Sequence, residues 1–293
     1  MSQLSAHQRG VLMTVIGVLV LTPDALIVRL IETDHWTLLF WRSLFAAISL
    51  FALNSFMEKS SPIKAIGGLF KNGLLCALLF AGSNVCFVIS ITHTAVANTL
   101  VILASMPFIA AVLSVILLQK NLALRTWVSI CFAMAGIVMV FWGRFGDGNT
   151  FGDVTAFFCA LFVAAAFVAV SSNPKINSTA AVGLGSLLAA LFALTMGADP
   201  AAASTRDFYF LALNGGIVIP IAMGLIAYGP KLISAPEVSL IMLLETVLGP
   251  LWVWLVLSEQ PPRQTFIGGG LVVAAILVHA WLGFRSERST APV

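Results

Sequence analysis

Residues Gly10 to Ile31 read GVLMTVIGVLVLTPDALIVRLI, a run in which Asp24 and Arg29 are the only charges. About 20 predominantly apolar residues are enough to cross a bilayer as a helix. Working outward from this stretch, similar runs recur along the chain, at about 10–31, 37–56, 71–92, 95–117, 124–142, 151–171, 178–197, 209–229, 234–257 and 264–284, ten in all. The whole-chain composition agrees. Of 293 residues, 60% are hydrophobic and 9% charged, against about 25% charged in a soluble domain, and the mean hydropathy is +1.03. So little polar cover excludes a water-soluble globule, an intrinsically disordered chain and a nucleic-acid binder. The sequence predicts an all-α polytopic membrane protein.

Orientation follows from lysine and arginine in the short links. With a cytoplasmic N-terminus, the inner segments hold Arg9, Lys59, Lys64, Lys71, Lys120, Arg125, Lys175, Lys231, Arg285 and Arg288, whereas the outer links hold only Arg144, Arg206 and Arg263. Glu32, Asp34, Asp147, Asp153, Asp199, Asp207 and Glu259 all fall on the outer side. Both termini are therefore expected in the cytoplasm, and the first run is full length, with no cleavable signal expected. Trp36, Trp41, Trp142 and Trp254 fall near outer boundaries and Trp127 and Trp281 near inner ones, the depth at which amphipathic rings settle. Cys76, Cys86, Cys131 and Cys159 lie inside apolar runs without a C-x-x-C spacing, and read as small buried hydrophobes.

Residues 94–142 can be laid on 233–281 without a gap. Thr126 then meets Thr265, Ile137 meets Ile276, Trp142 meets Trp281, and Leu118-Gln119-Lys120 meets Leu257-Ser258-Glu259. Two halves are expected, 1–145 and 146–293. Five spans per half is an odd number, so the second half enters from the opposite side. Such inverted repeats underlie alternating-access carriers, with the substrate site near mid-membrane. The chain resembles the ten-helix EamA branch of the drug/metabolite transporter superfamily. The resemblance rests on Phe40-Trp41-Arg42-Ser43-Leu44, Arg29, Ser105-Met106-Pro107-Phe108, Gly152-Asp153, Leu244-Glu245 and Leu257-Ser258-Glu259. It departs at Lys120, where the family often has a Gly-Glu turn, and at Thr22-Pro23-Asp24, where a Trp-Gly pair is common. Within that branch it is most similar in general character to the YddG-type aromatic amino-acid exporters. The resemblance implies a cavity built from the first, third, fourth, sixth, eighth and ninth spans.

An ionised group at membrane depth costs about 2.5–3.5 kcal/mol on insertion scales, so each one needs a reason. Asp24 lies about 20 Å along the first helix from Val11, in the outer half of the bilayer, and Pro23 loosens the ladder beside it. It is a candidate for a substrate amine or a proton; the structural alternative is an ion pair with Arg29 or Arg42. Arg42 is expected to snorkel outward near Glu32 and Asp34; the functional alternative is contact with a substrate carboxylate. Glu245, amid Leu243, Leu244 and Val247, is a candidate protonatable or substrate group; the structural alternative is a protonated carboxyl hydrogen-bonded across helices. Glu237 reads as a helix cap, and His279 as facing lipid or a neighbouring helix. Asn84, Asn98 and Asn214 map to the outer half and would make a polar wall with Asp24. Phe157, Phe158, Phe162 and Tyr228 would supply aromatic walls. Each amide alone is more simply interhelical glue, worth about 0.6 kcal/mol.

No phosphate-binding loop, H-E-x-x-H or G-x-S-x-G motif occurs, which removes the common ATPase, metalloprotease and serine-hydrolase signatures. The expected function is export of small metabolites, foremost aromatic amino acids, across a bacterial inner membrane. The alternatives are a proton-coupled drug or nucleotide-sugar carrier of the same fold, an intramembrane enzyme, or a channel. The expected partners are a small-molecule substrate and the lipid bilayer, with no cofactor, metal or nucleic acid, in a monomer or weak homodimer.

Overall fold

The computed structural model describes residues 5–59, 61–94, 96–119, 121–140, 149–257 and 263–290. Trp142, Arg144, Asp147, Lys120, Ser258 and Glu259 lie outside the described residues, as do the side chains of Trp254, Arg263, Thr265, Arg285 and Arg288. Helices account for every regular element among the described residues.

The first run becomes α1 (Ala6–Leu21) and α2 (Asp24–Arg29), broken where Pro23 has no N–H to give. The second is α3 (His35–Glu58), started by the Asp34 carboxylate, which accepts the N–H groups of Trp36 and Thr37. A short helix follows, α4 (Pro62–Asn72), capped by Ser61 with proline in its first turn. It takes Lys71 and Asn72 out of the third run, so that span is α5 (Leu74–His93). The fourth is split into α6 (Val96–Leu103) and α7 (Met106–Leu118) by the turn before Pro107. Then come α8 (Leu124–Val140), α9 (Thr150–Ser172) and α10 (Ser178–Thr195). The eighth run is α11 (Thr205–Leu213), a π-helical turn over Asn214–Val218, and α12 (Ile219–Ile226). The last two are α13 (Ala235–Leu257) and α14 (Arg263–Thr290).

The ten expected runs thus each contain helix, and among the described residues seven segments are long and apolar enough to cross a membrane on their own. The chain is an all-α polytopic membrane protein of two five-span repeats. The main packing pairs are α3 with α10, α5 with α9 and α10, and α8 with α14. α10 is deeply packed, and its alanines and glycines let the neighbouring spans approach closely. A methyl group on Gly185 would lie 2.7 Å from the carbonyl oxygen of Ala77, so α5 and α10 touch backbone to backbone. The repeat-related Ile137 and Ile276 are both buried in the α8–α14 region. Of the four cysteines, Cys76 and Cys159 are buried and Cys86 half-buried, but Cys131 is exposed on α8. It faces outward rather than inward, as a small apolar group can in lipid.

Candidate functional site

Three spans lose their regular hydrogen-bond ladder part-way: the first at Pro23, the fourth at Ser105, the eighth across Asn214–Val218. Their interruptions border one cavity between the halves, with about 900 Å³ of empty space including its open mouth. Its walls are mostly apolar, with Phe80 and Phe87 from α5, Met106 from α7, and Met242 from α13. Met106 and Glu245, equivalent in the repeat alignment, both line it.

Asp24 and Arg42 form one edge of the cavity. Arg42 Nη2 donates to both Asp24 carboxylate oxygens, at 3.1 and 3.0 Å. The Asn214 amide closes the ring, donating to Asp24 Oδ1 at 2.8 Å and accepting from Arg42 Nε at 3.3 Å. All three are buried, Asn214 completely. This corrects the reading of Arg42 as an outward snorkel: it turns inward because a buried carboxylate and an amide at its own depth satisfy it better than the interface does. Its guanidinium also lies 5.5 Å from the centroid of the Phe87 ring, in cation–π range. The acids once placed near it are used elsewhere. Glu32 pairs with Arg206 at 3.2 Å, and Asp34 caps α3. The Asp34 carboxyl is held below its usual range: slight burial pushes it up, but the Thr37 and Trp36 hydrogen bonds outweigh that.

Glu245 stands apart from this ring. It lines the cavity and makes no hydrogen bond or ion pair among the described residues; Asp24 and Arg42 are its charged neighbours. Nη1 of Arg42 likewise carries no hydrogen bond among them. The cavity therefore presents one uncompensated carboxyl and one guanidinium edge, set among methyl, thioether and aromatic groups.

The other expected site residues separate. Asn84 lines the cavity. Asn98 does not; it donates to Thr94 Oγ1 at 3.3 Å, and Thr94 donates to Asp153 at 2.8 Å, which ties the α5–α6 turn to α9. Phe158 is 43% exposed on the outer surface of α9. Phe162 packs on Gly82, and neither lines the cavity. The residues of α9 that do are Cys159 and Val163, one position further on, so about 100° of helix rotation separates the two pairs. Tyr228 sits at the end of the eighth span under the Lys231 ammonium group, 5.1 Å from its ring centroid, and away from the cavity.

A second polar cluster, not foreseen, ties the halves together at the other end. Glu237 does cap α13 through Ser234, but its Oε1 also accepts from His279 at 3.1 Å and lies 3.3 Å from His7. His279 is buried and its Nδ1 lies 3.2 Å from Ser129 Oγ. One carboxylate thus joins α1, α8, α13 and α14.

Comparison with known proteins bears on the same architecture. The EamA-like transporter family matches the chain twice, over residues 8–142 and 150–281. The chain belongs to this family. As an EamA-like protein it is a membrane transporter of the drug/metabolite transporter superfamily, a family of transporters and not of enzymes. Twenty-nine chains of solved structure match it. One, titled only as the crystal structure of a protein, superposes with a TM-score of 0.77 over 95% of this chain and 98% of its own, at 17% identity. That likeness is one of fold. No curated protein matches the chain.

Proposed function

We propose that this EamA-like chain exports small zwitterionic metabolites with an apolar body, amino acids foremost and aromatic ones among them, by alternating access from the central cavity. The observation that carries this reading is the pairing of an uncompensated carboxyl, Glu245, with the open Nη1 edge of Arg42 in one apolar cavity. A substrate ammonium group is the natural partner of the first and a substrate carboxylate of the second. Phe80, Phe87 and the methionines would take the side chain. Asp24 and Asn214 are positioning residues that hold Arg42 in place, and the Asp24 carboxylate offsets part of its charge. A nucleotide sugar is disfavoured on the same grounds: its phosphates call for several cations, and Arg42, already shared with Asp24, is the only one among the described residues that line the cavity.

Counterflow in proteoliposomes over a panel of amino acids, amines and carboxylates tests the assignment. Saturable exchange is expected for zwitterions with apolar side chains. Amines and acids that carry only one of the two charges should exchange far more slowly. Glu245→Gln should raise the KM for zwitterions tenfold or more, since a charge-assisted contact of about 1.5–3 kcal/mol is lost. Absence of exchange for every zwitterion, or an unchanged KM in Glu245→Gln, overturns the reading. The proposed setting is a bacterial inner membrane, and the charge bias supports both termini in the cytoplasm. Single cysteines at Ser2 and Val293 should then resist an impermeant maleimide applied to intact cells, and labelling of either reverses that topology.

A further inference from the structure

α4 has no counterpart among the spans, and its three sides differ in kind. At about 100° per residue, Ala65 and Leu69 fall together, Ile63 and Phe70 lie about 130° round from them, and Lys64 and Lys71 a further 100° or so. The structure uses the first side for packing: Ala65 and Leu69 are buried, against α10 and the flanking spans α3 and α5. The second side is open, with Ile63 81% and Phe70 66% exposed. The lysines of the third side are exposed as well.

The open apolar ridge is continuous with surface that faces lipid. Phe56 and Met57, at the end of α3, and Leu75 and Leu78, at the start of α5, are all exposed on either side of it. The segment from Lys59 to Gly73 contains three lysines and no acid, and none of those lysines makes an ion pair among the described residues. A short helix with one side on the bundle, one apolar and one basic has the amphipathic pattern of an element lying in the membrane interface.

We infer that α4 is an interfacial lipid-binding helix, seated in the bilayer surface on Ile63 and Phe70 and selecting anionic phospholipid headgroups through Lys59, Lys64 and Lys71. The charge complementarity names the occupant. Each lysine near an anionic surface enriches such lipids about fivefold, whereas a zwitterionic headgroup offers no net charge to attract it. The apolar ridge accounts for depth and the lysines for choice of headgroup, so the two can be measured separately.

The experiment uses the full chain with Cys76, Cys86, Cys131 and Cys159 replaced by alanine and a fluorophore on a single cysteine at Phe70→Cys. Vesicles contain equal amounts of phosphatidylcholine and phosphatidylglycerol, with brominated acyl chains on one or the other. Leu75→Cys, on the exposed side of α5, reports insertion and should be quenched by both lipids. At position 70 both brominated lipids should quench, and brominated phosphatidylglycerol at least about twofold more strongly. Adding Lys59→Gln, Lys64→Gln and Lys71→Gln should abolish the difference while leaving the quenching itself. The proposal is overturned if position 70 is unquenched while position 75 is quenched, if the two lipids quench position 70 equally, or if the preference survives the triple substitution.

Discussion

Arg42→Met is the perturbation that reads the buried ring most directly. It keeps a flexible side chain of similar length and removes the guanidinium from a site where Arg42 is 6% and Asp24 2% exposed. Two unit charges 3.0 Å apart attract by roughly 5–6 kcal/mol at an effective dielectric of 20. Breaking a buried pair by removing one partner costs about 3–5 kcal/mol, because the other charge is left uncompensated. Asn214 alone would remain to Asp24, through its 2.8 Å contact. Asn214→Leu should cost less, about 2 kcal/mol, since the ion pair survives and only amide contacts go. The double variant Asp24→Leu with Arg42→Met removes both charges and should be less destabilised than Arg42→Met alone. Unfolding by sodium dodecyl sulfate in mixed micelles, followed by helical ellipticity, gives the three free energies on one scale. If Arg42→Met is no worse than Asn214→Leu, or the double variant is at least as unstable as Arg42→Met, the ring is not held by its ion pair and the reasoning fails.

Gly185→Ala should destabilise by about 1–3 kcal/mol, because the new methyl meets Ala77 oxygen at 2.7 Å and Phe80 Cβ at 2.8 Å. Gly67→Ala, whose methyl meets nothing within 4 Å, should be neutral or slightly stabilising in the same melts. Asp34→Ala should cost about 1 kcal/mol at pH 7 as a lost helix cap. The Asp34 carboxyl is depressed in the folded chain, so its contribution is complete above the ordinary aspartate range near pH 4 and disappears as pH falls below it. Parent and variant melts should therefore converge in acid, and a constant gap would contradict this. Glu237→Ala, which strands His279 and Ser234, should lose about 2–3 kcal/mol, and Glu237→Gln should lose less; equal losses would show that the carboxylate oxygens do not organise the cluster.

The spans were legible because a run of about 20 apolar residues has few other fates. α4 was not: over any window long enough to detect a span, three lysines and two glycines hide Ile63, Ile66, Leu69 and Phe70. The breaks in the fourth and eighth spans were equally hidden, since glycine and proline are tolerated in membrane helices and do not announce an interruption. Asp24 and Glu245 were singled out by their cost, and the structure places both at the cavity. Arg42 reads outward from its place one turn into the span, near Glu32 and Asp34, with the Asp24 pair only an alternative; the inward partners come from residues 18 and 172 positions away. A usable signal did exist. Arg42 and Asn214 each lie five residues inside the outer start of an expected span, about 7.5 Å deep, and Asp24 five residues from the outer Arg29. Phe158 and Phe162 show the limit of reading aromatic walls from sequence: one residue of helical phase decides between lipid and cavity, and Cys159 and Val163 hold that phase.

The π-helical turn at Asn214–Val218 makes the eighth span a helix carrying one residue more than its α-helical path needs. Such a residue works as an adjustable phase angle. Removing Gly216 would let the ladder close, and would rotate everything beyond it by about 100° relative to Asn214. Either the amide leaves the Asp24–Arg42 ring, or Ile219 and Met223, which line the cavity, turn away from it. The span cannot keep both in register as a plain α-helix. Length along this segment is therefore constrained in steps of single residues, although substitutions at the four positions after Asn214 are constrained only by size, most tightly at Gly215, where a methyl would press on the carbonyl of Arg42.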